Sequence, residues 1–250
     1  GMILVTGPTG SGKTTTLYAM LRSINAVEKN VITVENPVEY RLERINQIQV
    51  NPDAGTSFAA ALRAILRQDP DVVMVGEIRD LETAEIAVQA ALTGHLVLST
   101  LHTNDAATAI TRLRELGLPA YLLSSCVALT IAQRLIRRIC PDCGESAEPD
   151  TELLASLNIS PNAADQSFKR GAGCTYCQHS GYRGRQAVFE ILPVDHRIQQ
   201  AILDDASAQD IKRIAVDAGM HTLLDAAALK MTQGLTTPEE VQRVIAAEGS

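Results

Sequence analysis

Near its start the chain carries Gly7-Pro8-Thr9-Gly10-Ser11-Gly12-Lys13-Thr14, and no other stretch constrains its fold as strongly. The run fits G-x-x-x-x-G-K-[ST]. It lies between residues 3–6, which read as a strand, and residues 14–24, which read as a helix, the context that motif requires. Glycines let the backbone wrap a phosphate chain with successive N–H groups pointing inward, and the helix N-terminus adds partial positive charge. Lys13 then reaches the terminal phosphates, and Thr14 offers its hydroxyl to magnesium. Gly7, Pro8, Thr9, Gly10, Ser11, Gly12, Lys13 and Thr14, with Thr15 beside them, are the expected phosphate-binding set. A turn that only joined two elements would have no need of the Lys-Thr pair.

Short aliphatic or β-branched runs follow at 31–35, 72–75 and 96–101, each of strand length. Helical stretches at 14–24, 58–66 and 81–92 separate them, the last behind Asp80 as N-cap and ending at Gly94. Strand alternating with helix predicts a parallel-rich sheet covered on both faces. A further helix is expected over 105–116, then, past Gly117 and Pro119, another reaching about Ile139, where the α/β part (1–139) ends. A small loop-rich module over 140–186 follows, then a strand near 186–192 and short helices to 250. Ser207 with Asp210, and Thr237-Pro238-Glu239-Glu240, are helix-start signals. The first residue is Gly rather than Met, which reads as a fragment of a longer protein.

Hydrophobic residues make up 46% and charged residues 20%, a folded composition that excludes disorder and coiled coil. A net charge of −7 and 3% aromatic residues argue against nucleic acid, which wants basic patches and stacking platforms. No apolar run reaches the roughly 18–20 residues of a membrane span, and no secretory leader precedes the first strand. Cytoplasm is the expected compartment. It also suits five cysteines, four of which form the pairs Cys140-x-x-Cys143 and Cys174-x-x-Cys177. Four thiolates so paired predict a closed, structural zinc site. Cys126 reads as a small core residue in an apolar helix, and His179 as a surface side chain.

Ligands of open α/β sheets sit beyond the carboxyl ends of the strands. There the sequence places Glu35 and Glu39 after the second run, Glu77 after the third and His102 after the fourth. Glu77 follows Val72-Val73-Met74-Val75-Gly76, with Gly76 where many phosphate-loop enzymes carry a magnesium-binding Asp. It is expected to serve magnesium, the attacking water, or both.

Four segments in order carry a family resemblance: the glycine loop, Val34-Glu35-Asn36-Pro37-Val38-Glu39-Tyr40, Leu66-Arg67-Gln68-Asp69-Pro70-Asp71 leading to Gly76-Glu77-Ile78-Arg79-Asp80, and Gly94-His95-Leu96 through Thr100-Leu101-His102-Thr103-Asn104. They resemble the Walker A motif, acidic box, atypical Walker B motif and histidine box of the bacterial secretion ATPase superfamily. That superfamily drives type II secretion and type IV pilus assembly. Asn36 departs from the family's usual Asp.

The resemblance implies a RecA-like P-loop NTPase domain that binds ATP or ADP with Mg2+ and carries a Zn2+ module. Lys13 and Thr14 would hold phosphate and magnesium, Glu35 would line the nucleotide site, Glu77 and Glu39 would position magnesium or polarise water, and His102 would sense the γ-phosphate. It implies a hexamer, peripheral to the inner membrane, whose partners are membrane assembly-platform proteins. Assembly-type and secretion-type members often carry the four-cysteine module, whereas retraction motors generally lack it. Arg67 and Arg79 are candidates for phosphate or interface contacts, or for surface ion pairs. A nucleic-acid translocase with a zinc ribbon and a nucleotide-dependent interaction module are the alternative readings.

Overall fold

In the computed structural model the described residues are 1–24, 27–51, 57–148, 150–157, 159 and 168–245. Five strands open the chain: β1 (Met2–Thr6), β2 (Val31–Glu35), β3 (Asn46–Gln49), β4 (Val72–Val75) and β5 (Leu96–Leu101). The expected strands form as read, with β1 starting one residue earlier. β3 is additional, because its sequence Asn-Gln-Ile-Gln holds a single apolar residue and gives no strand pattern.

Pairing runs β3-β2-β4-β5-β1-β6-β9, where β6 is Val127–Ile139 and β9 is Tyr182–Pro193. The ladders from β3 to β6 are parallel, and β1 aligns Thr6 with Leu101 while β2 aligns Val34 with Val75. The carboxyl ends of β1, β2, β4 and β5 therefore share one edge.

Both faces of the central strands are buried, as a parallel sheet requires. Val5, Val31, Val72, Met74 and Leu98 pack against Leu17, Tyr18 and Leu21 of α1 (Lys13–Ser23). Burying Leu17 and Leu21 stabilises α1 by about 1.5–3 kcal/mol each. Leu4, Val34, Val73 and Val97 occupy the alternate positions, which by strand period face the opposite way, and are equally buried. Side-chain caps start the next helices: Ser57 for α2 (Phe58–Ile65), Asp80 for α3 (Leu81–Leu92) and Asp105 for α4 (Ala106–Glu115).

The helix expected to reach Ile139 stops at Cys126, the last residue of α5 (Ala120–Cys126), and β6 begins at Val127. Beside β1, residues 127–132 obtain their backbone partners from the ladder rather than from a helix. Burial of both faces hides the alternation that would have marked a strand. Cys126 is buried as expected, and burial pushes its thiol up to about 11.

Two compact units result: residues 1–132 with 191–220, and residues 133–190 with 221–250. These boundaries differ from the divisions read at 139/140 and 186/187, because β6 and β9 each run through a boundary. Within the first unit, α7 (His196–Leu203) packs on α5 and α8 (Ala208–Asp217) on α4, with Lys212 pairing Asp105 at 3.1 Å. Ser207 caps α8 through the Asp210 N–H, as its sequence signal predicts.

The second unit holds the antiparallel pair β7 (Gly144–Ser146) and β8 (Lys169–Gly171), α6 (Thr151–Ser156), α9 (Leu223–Thr232) and α10 (Pro238–Ile245). Thr237 Oγ1 accepts the Glu240 N–H at 3.3 Å where α10 begins. Glu240, 0% exposed, accepts from Arg137 N at 2.9 Å, Arg137 Nε at 2.8 Å, Arg243 Nε at 2.8 Å and Arg243 NH2 at 2.7 Å. Burial alone would raise its pKa, but the hydrogen bonds from Arg243 and Arg137 outweigh it and bring the carboxyl down to about 2.

Candidate nucleotide site and cysteine cluster

At the carboxyl end of β1 the glycine loop turns directly into α1. Gly12 is the N-cap with φ 87°, a left-handed conformation that a Cβ would penalise, and it supplies no side-chain cap. No acid occupies the first turn of α1. Unlike α2, α3 and α4, this helix thus begins without a capping side chain, an arrangement suited to an oxyanion. Lys13 is nearly buried, and its Nζ donates to Gly7 O at 2.7 Å and Pro8 O at 3.0 Å, which holds the ammonium within the curve of the loop. Thr14 is half-buried at the first turn of α1, whereas Thr9, Gly10 and Thr15 are exposed and Ser11 is buried. These donors fit a phosphate chain.

The loop is tied to the end of β5. Thr103 N–H donates to Thr6 Oγ1 at 2.8 Å, and the two hydroxyls lie 2.7 Å apart. Thr6 immediately precedes Gly7, and Thr103 immediately follows His102. This buried pair therefore fixes the glycine loop relative to the histidine segment.

Glu77 and His102, expected at one edge, do come together. His102 Nε2 lies 3.5 Å from Glu77 Oε2, and Arg79 Nε lies 2.7 Å from the same oxygen. Glu77 keeps 13% exposure, and His102 is half exposed. Below them, Thr100 Oγ1 donates to Gly76 O at 2.6 Å, and Gly76 N–H donates to Val34 O at 2.8 Å. A Cβ at position 76 would stand 3.3 Å from Val34 O and 3.4 Å from Glu35 Cα, so β2 crowds any side chain there. Gly76 thus sits where β2 leaves little room for a Cβ, and Glu77 is the acid at the end of β4. Arg79 pairs with Glu77 inside the cluster, while Arg67 is exposed in the 3₁₀ turn Leu66–Gln68.

Glu35 and Glu39 differ sharply. Glu35 is 2% exposed and accepts from Tyr18 Oη, from Thr33 Oγ1 at 2.5 Å and from Gln47 Nε2 at 3.1 Å. Burial, then the hydrogen bond to Glu35, raises the Tyr18 pKa and keeps the phenol protonated as donor. Glu39 is exposed on the loop between β2 and β3. Gln47, on the strand that the sequence did not reveal, joins this network, and a polar residue in a short polar run gave no sign of it.

The four predicted cysteines converge, their sulfurs all within 4.8 Å of one another. Cys140–Cys174, Cys143–Cys177 and Cys174–Cys177 sulfur separations are 3.9, 3.8 and 3.7 Å. A tetrahedron with metal–sulfur bonds of about 2.3 Å has edges of about 3.8 Å. None of the four is in a disulfide. The Cys174 N–H, 3.1 Å from Cys177 Sγ, is the largest influence bringing that thiol to about 6, whereas burial pushes Cys143 up to about 12. Four cysteine sulfurs at this spacing make a donor set that fits zinc. His179 is exposed and does not belong to the cluster.

Comparison with known proteins agrees with this geometry. The family model described as "Type II/IV secretion system protein" matches residues 1–243. The type II secretion system ATPase E of Vibrio cholerae is 52% identical over 244 residues, covering 98% of this chain and 48% of that protein. The type IV pilus assembly ATPase PilB of Thermus thermophilus is 52% identical over 243 residues, covering 96% of this chain and 27% of that protein. The crystal structure of the pilus retraction motor PilT with bound ADP superposes with a TM-score of 0.72 at 34% identity, covering 97% of this chain and 60% of that one. The chain thus spans about half or less of these two sequence relatives.

Proposed function

Because the chain belongs to the Type II/IV secretion system protein family, we propose that it hydrolyses ATP within a hexameric motor that powers pilin or pseudopilin assembly in type II secretion or type IV pilus biogenesis. The observation that carries this reading is the glycine loop with its lysine, set at the same sheet edge as the Glu77–His102 pair. Relatives named for secretion and pilus assembly at 52% identity, against 34% for the retraction motor, favour the assembly direction.

In this mechanism the residues 7–15 bind the phosphates, Lys13 neutralises charge on the terminal ones, and the Thr14 hydroxyl and Glu77 would hold magnesium. That ion supplies charge neutralisation for in-line attack of water on the γ-phosphate. Water forms the new P–O bond, the bond to the β-phosphate oxygen breaks, and the water's proton passes to Glu77 or Glu39. His102, anchored on Glu77, reports the γ-phosphate. Glu35, buried with both oxygens engaged by three donors, acts by bracing α1 instead of touching nucleotide. Cys140, Cys143, Cys174 and Cys177 would bind a structural zinc ion.

The motor would work at the cytoplasmic face of the inner membrane against platform proteins, and among the described residues no helix is long and apolar enough to cross a membrane. The test is ATP turnover per protomer of the full-length protein across a wide concentration range, with Lys13→Ala as blank. A rate above the blank that climbs with concentration is expected, since neighbouring subunits complete a ring motor's sites. A wild-type rate equal to the blank would overturn the reading.

A further inference from the structure

The loop between β2 and β3 carries Glu39 yet belongs to no regular element, so its backbone groups must find partners elsewhere. Two glutamine side chains of β3 supply them. Gln47 Oε1 accepts the Leu42 N–H at 2.7 Å, and Gln47 Nε2 lies 3.1 Å from Tyr40 O, 3.1 Å from Glu35 Oε1 and 3.3 Å from Tyr18 Oη. Gln49 Oε1 accepts the Val38 N–H at 3.2 Å. Glu39 therefore sits between two residues whose main chains are each pinned by an amide. The register explains how one face collects these groups: Thr33 lies beside Gln47 and Glu35 beside Gln49, so all four side chains point the same way. Tyr18 meets them from α1, the helix that also bears Lys13 and Thr14, and its ring packs edge-on against Tyr40 at 4.7 Å.

We infer that Gln47 is a positioning residue for ATP hydrolysis, fixing the loop that carries Glu39 to the buried Tyr18–Glu35 pair and through it to the phosphate-binding helix. This rests on the nucleotide-hydrolysis reading above. A Gln suits the task because one amide offers both an acceptor for Leu42 N–H and donors for Tyr40 O and Glu35. Glu at this position would lose the donors and set a second carboxylate beside Glu35, and Met would keep the volume and lose every bond.

The test is a double-mutant cycle in the full-length protein, with Gln47→Met, Glu39→Gln and their combination, and Lys13→Ala as control. Gln47→Met is expected to lower kcat by about 10- to 100-fold, the scale of a misplaced catalytic group, with KM for ATP within about 3-fold. Combined with Glu39→Gln it should cost nothing further, because it acts through Glu39. Tryptic cleavage after the exposed Arg41 and Arg44 should also quicken in Gln47→Met, a readout independent of turnover. Should Gln47→Met fail to fold, Gln47→Asn, too short to span from β3 to Tyr40 O, replaces it in the same cycle. Effects that multiply in the combined variant, an unchanged kcat, or full turnover in Glu39→Gln while Lys13→Ala is dead would each overturn the inference alone. An active Lys13→Ala would remove the hydrolysis reading and this inference together.

Discussion

Glu77 and Glu240 are both carboxylates approached by two nitrogen-bearing side chains, yet their surroundings differ. At Glu77 both partners approach one oxygen, Oε2, the Arg79 side chain is 72% exposed, and the acid keeps contact with solvent at the edge of the sheet. At Glu240 both oxygens are filled by Arg137 and Arg243, and nothing of the side chain is exposed. A carboxylate with an oxygen to offer and access to solvent can take up a metal ion or a proton. One that is saturated can only hold its surroundings together. On the proposed reading, what separates a chemical acid from a structural one is the number of donors already satisfied, not the presence of arginine.

The sharpest test of that contrast is Glu77→Gln. Turnover is expected to fall by about 10²- to 10⁴-fold, the contribution of a positioned acid–base group. Nucleotide affinity should hold, and the melting temperature should barely move, because an ion pair to an exposed arginine contributes at most about 1 kcal/mol. A variant that hydrolyses normally but melts several degrees lower would place Glu77 with Glu240 and dissolve the contrast.

Glu240→Gln should behave in the converse way. It strips the charge from a buried carboxylate that answers two arginines, and the unfolding free energy should drop by about 2–3 kcal/mol. That lies below the about 3–5 kcal/mol of a fully buried pair, because Arg137 and Arg243 are half-exposed. Turnover per folded molecule should be retained. Chemical denaturation followed by circular dichroism, alongside ATP turnover, reads both quantities.

Glu35 tests the criterion where position and environment disagree. It stands at the same sheet edge as Glu77 but, like Glu240, is buried with both oxygens engaged. Glu35→Gln is expected to cost about 1–2 kcal/mol of stability through the weakened bonds from Tyr18 and Gln47. Turnover should change only a few-fold. Loss of nucleotide affinity beyond 10-fold, measured by calorimetry, would make it a ligand after all.

That disagreement marks the limit of what could be read from residues alone. The parallel sheet was legible because its strands are short apolar runs separated by helices, and the glycine loop and the cysteine pairs because their chemistry fixes local spacing. Glu77 and His102 were legible because strand ends at a shared edge must converge. The surroundings of Glu35 were not, since its donors come from α1, from its own strand and from β3, and β3 has no hydrophobic pattern to announce it. β6 misled for the complementary reason: its partner, β1, is over a hundred residues away in sequence, and burial on both faces left no alternation to detect. Local pattern reports which elements form; saturation of a side chain depends on which elements meet.

The smallest expected effect follows from the sign of the Glu240 shift. Its folded pKa, about 2, lies below its ordinary 4.5, so the folded state binds fewer protons than the unfolded one between those values. The stability it contributes is complete above about pH 5 and is lost as pH falls through that window. Other carboxyls, including those of Asp71, Asp105, Asp195 and Asp210, are also held low, so the wild type alone would show a composite acid transition. The difference between wild type and Glu240→Gln isolates one group, since every other titration is common to both. It should be constant from pH 7 to about 5 and shrink by more than half at pH 3, as linkage with these two pKa values requires. A difference that stayed flat down to pH 3 would mean that Glu240 binds its proton no more weakly in the folded chain than in the unfolded one, and that the arginines do no more than offset the burial they surround.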